Sequence, residues 1–125
     1  MYALSLQRRF AARHHLVGGD WGAENQPHTH NYVIELRLEA KQLDAHGYLV
    51  DLVEVQRHLD AFVARCQGTD LNTMPEFAGL NPSLEHFARI AAQALSVALP
   101  PARLSALTVR IWEHADAWAS YRLET

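Results

Sequence analysis

The sequence predicts an α+β fold in which a four-stranded antiparallel sheet, formed in the order ββααββ, carries two helices on one face. Stretches that alternate apolar and polar residues lie near both ends of the chain. Between them lie two stretches with apolar residues at spacings of three and four, and segments containing glycine or proline separate these elements. The chain has 125 residues and shows no repeat or linker, so we expect one domain over residues 1–125.

Two strands are predicted in the first part of the chain. Residues 2–12 alternate apolar and polar side chains and predict the first strand, with His14 and His15 at its end. A glycine-containing connection over residues 17–26 follows, longer than an ordinary hairpin loop. The second strand is predicted over about residues 28–43, where the alternation resumes.

Two helices are predicted in the middle of the chain. Asp51 is expected to cap the first helix, which should end at Gly68 because glycine commonly follows the last helical turn. Asn81-Pro82 is expected to supply the N-cap and first-turn proline of the second helix, and Pro100-Pro101 to end it.

The last two strands are predicted over residues 106–112 and 117–123. A sheet of four strands has two edges, and neither the first nor the last strand carries enough charge to protect its edge. Pairing between edges of neighbouring subunits would cover them. We therefore expect a homo-oligomer.

The composition excludes several classes of partner. A formal net charge of -3 and a pI near 6.2 argue against electrostatic binding to nucleic acid or to an anionic membrane. The sequence has neither a leader pattern nor a run of about 18 apolar residues. The lone Cys66 is expected in the core and fits a reducing compartment. We expect a cytoplasmic protein.

The eight histidines of the chain point to metal chemistry. His28 and His30 are two residues apart at the start of a predicted strand, so both imidazoles face the same side and can reach one ion. A catalytic zinc site needs a third protein ligand and leaves its fourth position to water or substrate. His14 or His15 can supply that ligand, and only one of two successive strand residues can face the metal.

Six short segments lie in order along nearly the whole chain: FAARHHL (10–16), HTHNY (28–32), GYLVD (47–51), LN (71–72), NPSLE (81–85) and WE (112–113). Together they resemble the 6-pyruvoyl-tetrahydropterin synthase family, which includes the bacterial 6-carboxy-tetrahydropterin synthases of queuosine biosynthesis. The agreement of several separated motifs makes this resemblance specific.

The resemblance implies a tunnelling fold, in which three subunits join their sheets into a barrel and two trimers stack as a homohexamer. It implies zinc held by His14, His28 and His30, and lyase chemistry on the side chain of 7,8-dihydroneopterin triphosphate or a related pterin. It also implies a pterin pocket at a subunit interface, where Glu113 would bind the guanidine-like edge of the ring and Ser83 would line the wall.

The chain departs from the family pattern at two places. Glu24 stands where the family has a cysteine that acts as base, and Gln67 and Gly68 stand where it has an Asp-His dyad. We predict that Glu24 is the general base and shifts the chemistry towards aldol-type cleavage, with a 6-hydroxymethyl pterin as product.

Two alternatives follow from the same departures. In the first, the chain is a zinc- and pterin-binding module that has lost the family reaction. In the second, it is an oligomer whose zinc is structural and has Glu24 as a fourth ligand. Asp70, His86 and His114 are more ordinary structural or exposed residues, any one of which would be available to replace the dyad.

Overall fold

A computed structural model describes residues 1–99 and 103–125. The predicted order ββααββ is confirmed, while Pro100-Pro101, the expected end of the second helix, lies outside the described residues. The elements are β1 (Tyr2–His14), β2 (His28–Ala40), α1 (Leu52–Cys66), α2 (Leu84–Ala98), β3 (Ala106–His114) and β4 (Ala117–Glu124), with short 3-10 turns at Gly22–Asn25, Leu71–Thr73 and Pro75–Phe77.

The four strands form one antiparallel sheet in the order β1-β2-β3-β4. In the long β1–β2 pair, Tyr2 lies opposite Ala40 and His14 lies opposite His28. Side chains alternate between the two faces of a strand, so the even-numbered residues of β1 and β2 share one face. That face is the apolar one, as shown by buried Phe10 and Leu36.

Both helices pack on this apolar face, which confirms the predicted layer arrangement. Helix α2 lies against β3 and β4, and α1 lies against β1. The opposite face of the sheet carries polar and charged residues together with Trp112 and Trp118, which pack around Arg110. The largest fully buried side chains of the core are Tyr32, Phe77, Phe87, Ile34, Leu36, Leu38, Leu59, Leu71, Leu95 and Ile111.

Helix α1 begins and ends as predicted. The carboxylate of Asp51 accepts hydrogen bonds from the backbone N–H groups of Val53 and Glu54, at 3.0 and 3.4 Å. Gly68 follows the last turn with φ +70°, a conformation in which a side chain would be strained. Within the described ranges, neither α1 nor α2 is long and apolar enough to cross a membrane.

The predicted cap of α2 is wrong. Ser83 caps this helix, because its Oγ accepts a hydrogen bond from the N–H of His86 at 3.1 Å. The Asn81 side chain instead bonds both backbone groups of Val17, accepting from N–H at 2.7 Å and donating to the carbonyl at 3.1 Å. Asn81 therefore joins the start of α2 to the loop between β1 and β2.

Strand β2 also ends earlier than predicted, at Ala40. The following turn is closed by Asp44, whose Oδ1 accepts from the N–H groups of His46 and Tyr48, each at 2.9 Å. Because an aspartate side chain satisfies these backbone groups, the chain leaves the sheet before residue 43.

The two sides of α1 should respond differently to truncation. Leu59 is fully buried and Val53 is 72% exposed. We expect Leu59→Ala to lower the free energy of unfolding by about 2–5 kcal/mol, since it removes buried methyl groups and leaves a cavity. Val53→Ala, the control on the same helix, should change it by less than about 0.5 kcal/mol. Urea denaturation of both variants measures the difference, and equal losses would contradict this packing.

Candidate metal centre

Three histidines meet at one end of the apolar face. His14 is the last residue of β1 and lies opposite His28, the first residue of β2, while His30 lies opposite Ala12. All three have even numbers, so the alternation that buries the core also turns the three rings to the same side. The His14 ring centroid is 4.6 Å from each of the other two, and those of His28 and His30 are 4.7 Å apart.

Glu24 reaches this cluster from the 3-10 turn Gly22–Asn25 in the connection between β1 and β2. The Leu16 N–H donates to the Glu24 carbonyl at 2.9 Å. Asn25 fixes the loop around it: its Nδ2 donates to the carbonyls of Leu16 and Gly19, both at 3.0 Å, and its Oδ1 accepts from the Trp21 N–H at 2.7 Å. The Glu24 backbone is therefore held, while its side chain remains 53% exposed.

These four side chains form a suitable donor set for a divalent metal. One ligand atom from each of His14, Glu24, His28 and His30 lies within 4.8 Å of the others. The Nε2 atoms of His28 and His30 are buried and form no aligned hydrogen bond. This holds for His28 although its Nε2 is 2.8 Å from Glu24 Oε2. Imidazole nitrogens and one carboxylate that converge without bonding one another fit a tetrahedral zinc site.

A second carboxylate, Glu113, borders the cluster. The pairing of β3 with β4 runs from Trp112 opposite Trp118 to His114 opposite Ala117, so Glu113 is the extra residue of a β-bulge. Its Oε1 is 2.9 Å from His30 Nε2 and 3.7 Å from His14 Nε2. Its side chain is 22% exposed, and the residue also lines an open cleft of about 330 Å³.

The outer nitrogens of two histidines have oxygen partners. His28 Nδ1 is 2.8 Å from the carbonyl oxygen of Gln26, which can only accept. Nδ1 is therefore the protonated nitrogen, and the lone pair of Nε2 is free for a metal. His14 Nδ1 is 3.1 Å from the hydroxyl of Tyr32.

The surroundings favour neutral histidines. Burial is the main reason that the pKa of His14 falls to about 4, and the neighbouring His30 and His28 lower it further. Glu24 and a hydrogen bond with the Pro82 backbone act in the opposite direction, but more weakly. Burial also lowers the pKa of His30, against the opposing effect of Glu113. Neutral imidazole is the form that binds a metal.

The remaining predicted residues lie outside the set of metal-ligand atoms. The backbone of His15, the alternative third ligand, is bonded to the Asn72 side chain through both N–H and carbonyl, at 3.0 and 3.1 Å. Ser83, expected to line the substrate pocket, uses its hydroxyl oxygen to cap α2. The next residue back, Pro82, contacts His14 through its backbone, so Ser83 lies beside the cluster.

The three residues available to replace the dyad have ordinary structural surroundings. Asp70 caps the 3-10 turn Leu71–Thr73 by accepting from the Asn72 N–H. His86 Nδ1 is 3.3 Å from an Arg89 nitrogen on α2. His114 is exposed, with its ring centroid 6.1 Å from that of His30.

Gln67 and Gly68, at the positions of the family dyad, are used to close the outer edge of β1. Gln67 Oε1 accepts from the Ala11 N–H at 3.1 Å, and the Gly68 N–H donates to the Ala11 carbonyl at 2.8 Å. The Arg13 N–H then donates to Thr69. These positions supply hydrogen bonds to a strand and no acid or base.

Sequence reasoning did not identify Asn25, Gln26 and Tyr32 as supports of the site. One signal was available for Tyr32, which follows His30 by two residues and so faces the same side. The roles of Asn25 and Gln26 depend on the path of the loop, which no local pattern specifies.

The fold and the cluster together define a small α+β protein with a candidate metal centre at the end of its sheet. The chain belongs to the 6-pyruvoyl tetrahydropterin synthase family, whose model matches residues 3–124. The family assignment is thus confirmed, as is the predicted fold of the single subunit, a four-stranded antiparallel sheet with two helices. No curated protein matches the chain in sequence.

Solved structures share the fold. The Caenorhabditis elegans 6-pyruvoyl tetrahydropterin synthase has a TM-score of 0.80 at 22% identity, with 99% of this chain and 98% of that chain covered. The Plasmodium falciparum enzyme has a TM-score of 0.81 at 12% identity, with the same coverage. A Plasmodium vivax synthase, solved with a catalytic glutamate replaced by alanine, has a TM-score of 0.80 at 12% identity and full coverage of both chains. At these identities the likeness shows the fold.

The lowered pKa of His14 predicts a pH dependence of stability for the metal-free protein. Its folded pKa is about 4 and its unfolded pKa about 6.5, so between these values the unfolded chain binds more protons. Stability should therefore fall as the pH decreases from 6.5 to 4, by on the order of 3 kcal/mol from this residue.

Urea denaturation at a series of pH values measures this loss. His14→Gln should flatten the curve in this window, and His46→Gln, an exposed control, should leave it unchanged. An unchanged slope in His14→Gln would contradict the assignment.

Proposed function

We propose that this protein is a zinc-dependent lyase that acts on the side chain of 7,8-dihydroneopterin triphosphate or a related dihydropterin. The observation that carries the proposal is the convergence of His14, His28, His30 and Glu24 at one point, in a chain of the 6-pyruvoyl tetrahydropterin synthase family. The three histidines would hold the metal. Zinc would supply Lewis acidity that makes side-chain hydroxyls of the substrate easier to deprotonate.

Glu24 is the proposed general base. Its carboxylate is next to the three imidazoles, its backbone is fixed, and its side chain is half exposed, so it can turn from the cluster towards a substrate. Such a base removes the proton from the hydroxyl on the second side-chain carbon. That carbon becomes a carbonyl as its bond to the first carbon breaks, and the first carbon takes up a proton to give the 6-hydroxymethyl pterin. The other fragment leaves as an aldehyde.

Glu113 is the proposed anchor of the pterin ring. The amidine edge of a pterin offers two parallel N–H donors, which match the two oxygens of a carboxylate. Glu113 lines the open cleft of about 330 Å³ together with Asn31 and Trp112. The Glu113 carboxylate is partly buried, and within the described ranges it has no arginine or lysine partner. Because a partly buried charge needs a hydrogen-bonding partner, it is suited to such a ligand. Ser83 would contact the substrate from the histidine side of the sheet, because it lies beside Pro82 at the start of α2 and is not among the residues that line this cleft.

The Plasmodium vivax synthase offers support from a relative, since its catalytic residue is a glutamate.

We also propose that the protein forms a homohexamer built as a dimer of trimers and works in the cytoplasm without nucleic-acid or membrane partners. Strand β4, at the end of the sheet, and the part of β1 not covered by residues 67–72 provide edges for pairing with other subunits.

The first test is the identity of the product. The zinc-loaded protein is incubated with 7,8-dihydroneopterin triphosphate, and the pterins are analysed by mass spectrometry. We expect a 6-hydroxymethyl product. A carboxy product would instead assign the protein to the branch that serves queuosine biosynthesis, and either a carboxy or a pyruvoyl product would contradict cleavage with Glu24 as base.

The matched variant is Glu24→Gln, which keeps the size of the side chain and removes the basic oxygen. Loss of a general base should reduce turnover by about 10²- to 10⁴-fold. Glu54→Gln, the same change at a 44% exposed side chain on α1, should retain activity. Unchanged turnover in Glu24→Gln would refute the assigned role.

One observation favours a second function. Gln67 and Gly68 bond the edge of β1 and supply no proton relay, as expected for a zinc- and pterin-binding module that has lost the reaction. Such a module would retain the pterin without product, and Glu24→Gln would not change its pterin affinity. If Glu24 stays bound to zinc when pterin is added, the site is closed and structural. X-ray absorption of the zinc protein with and without pterin distinguishes these cases.

A further inference from the structure

Tyr32 is a buried polar residue that the proposed chemistry does not use. It lies on β2 two residues after His30 and faces the same side, with only 1% of its surface exposed. Its hydroxyl lies 3.1 Å from His14 Nδ1, on the side of the ring away from the ligand atom Nε2. A hydroxyl can both donate and accept, so it can partner either form of a neutral imidazole.

The Tyr32 ring is held by aromatic contacts. It stacks on Phe10 with a centroid separation of 5.3 Å and an interplanar angle of 23°, and it meets the Phe87 ring edge-on, also at 5.3 Å. Phe10 is its direct partner in the sheet. Since packing on a strand and against α2 fixes the ring, the position of the hydroxyl relative to His14 is fixed as well.

Metal binding places a requirement on His14. Its Nε2 must present a lone pair, and a neutral imidazole can do so only if Nδ1 carries the proton. The N–H at Nδ1 then needs an acceptor, because the residue is only 5% exposed. The His14 ring has two hydrogen-bond partners, the Tyr32 hydroxyl and the backbone of Pro82, which can only accept, and the Tyr32 hydroxyl is the one that lies 3.1 Å from Nδ1. His28 meets the same requirement through the carbonyl of Gln26.

We propose that Tyr32 is a positioning residue that accepts a hydrogen bond from His14 Nδ1, and so fixes the ring and the tautomer that present Nε2 to the metal. This inference rests on the proposed function only in taking His14 as a ligand. Outer partners of this kind typically change metal affinity by about 10- to 100-fold when removed. Tyr32 itself contacts neither metal nor substrate in this role.

The test is Tyr32→Phe, which removes one oxygen and keeps the ring. Zinc affinity is measured without substrate by competition with a chromophoric chelator. We expect the dissociation constant of Tyr32→Phe to rise about 10- to 100-fold. Tyr48→Phe, which removes a hydroxyl from a residue that is 64% exposed, should bind zinc as the unaltered protein does. Equal affinities in all three proteins would overturn the proposal and show that the Pro82 backbone suffices to hold His14.

A second readout separates this role from simple packing. Nitrogen-15 NMR of the histidine rings in metal-free protein reports which nitrogen of His14 carries the proton. We expect Nδ1–H in the unaltered protein and a shift towards Nε2–H in Tyr32→Phe. An unchanged tautomer would overturn the proposal even if stability fell.

A third readout applies if Tyr32→Phe does not fold. Replacing all four tyrosines by 3-fluorotyrosine weakens each hydroxyl as a hydrogen-bond acceptor, so zinc affinity should fall. The fall should be the same in fluorinated Tyr48→Phe, which lacks the exposed Tyr48 hydroxyl. Unaltered affinity in the fluorinated protein would overturn the proposal.

Absence of any pterin product would reject the proposed reaction and leave these zinc and NMR comparisons unaffected.

Discussion

The register of β1 against β2 is the constraint on which both the core and the site depend. With His14 opposite His28, the even-numbered residues of the two strands face the helices, which buries Phe10 and Tyr32 and turns the histidines to one side. A slip of one residue would reverse the faces of a whole strand. The hydrophobic free energy that selects this register therefore also brings the three histidines together, whereas Glu24 depends on the hydrogen bonds of its loop.

The predictions that succeeded used patterns confined to a few residues. Alternation located the strands, three- and four-residue spacing located the helices, and the i, i+2 pair His28 and His30 indicated a shared face. The cap at Asn81 failed for a physical reason: its amide is engaged by Val17, 64 residues away in sequence. The bulge at Glu113 and the bonds of Asn25 are likewise decided by tertiary contacts, which short-range patterns do not contain.

The centre combines a rigid part with a movable one. Three ligands project from paired strands, and the outer nitrogens of His14 and His28 contact fixed oxygens. Glu24 projects from a loop whose backbone is bonded but whose carboxylate is half exposed. In the proposed reaction, the three histidines would hold the metal while Glu24 moves between the cluster and the substrate. The same four residues would then form the resting site and provide the proposed base.

The residues at the dyad positions explain why the base should come from the loop. Gly68 has φ +70° and bonds Ala11, and the amide of Gln67 bonds the same residue, so this segment is committed to closing β1. A histidine at position 68 would be strained by that backbone conformation. Among the carboxylates at the cluster, Glu113 is the more buried and Glu24 the more exposed. A buried carboxylate suits the binding of a flat edge of N–H donors, whereas an exposed one can receive a proton and release it to water. This difference in exposure is the reason that we propose Glu24, and not Glu113, as the base.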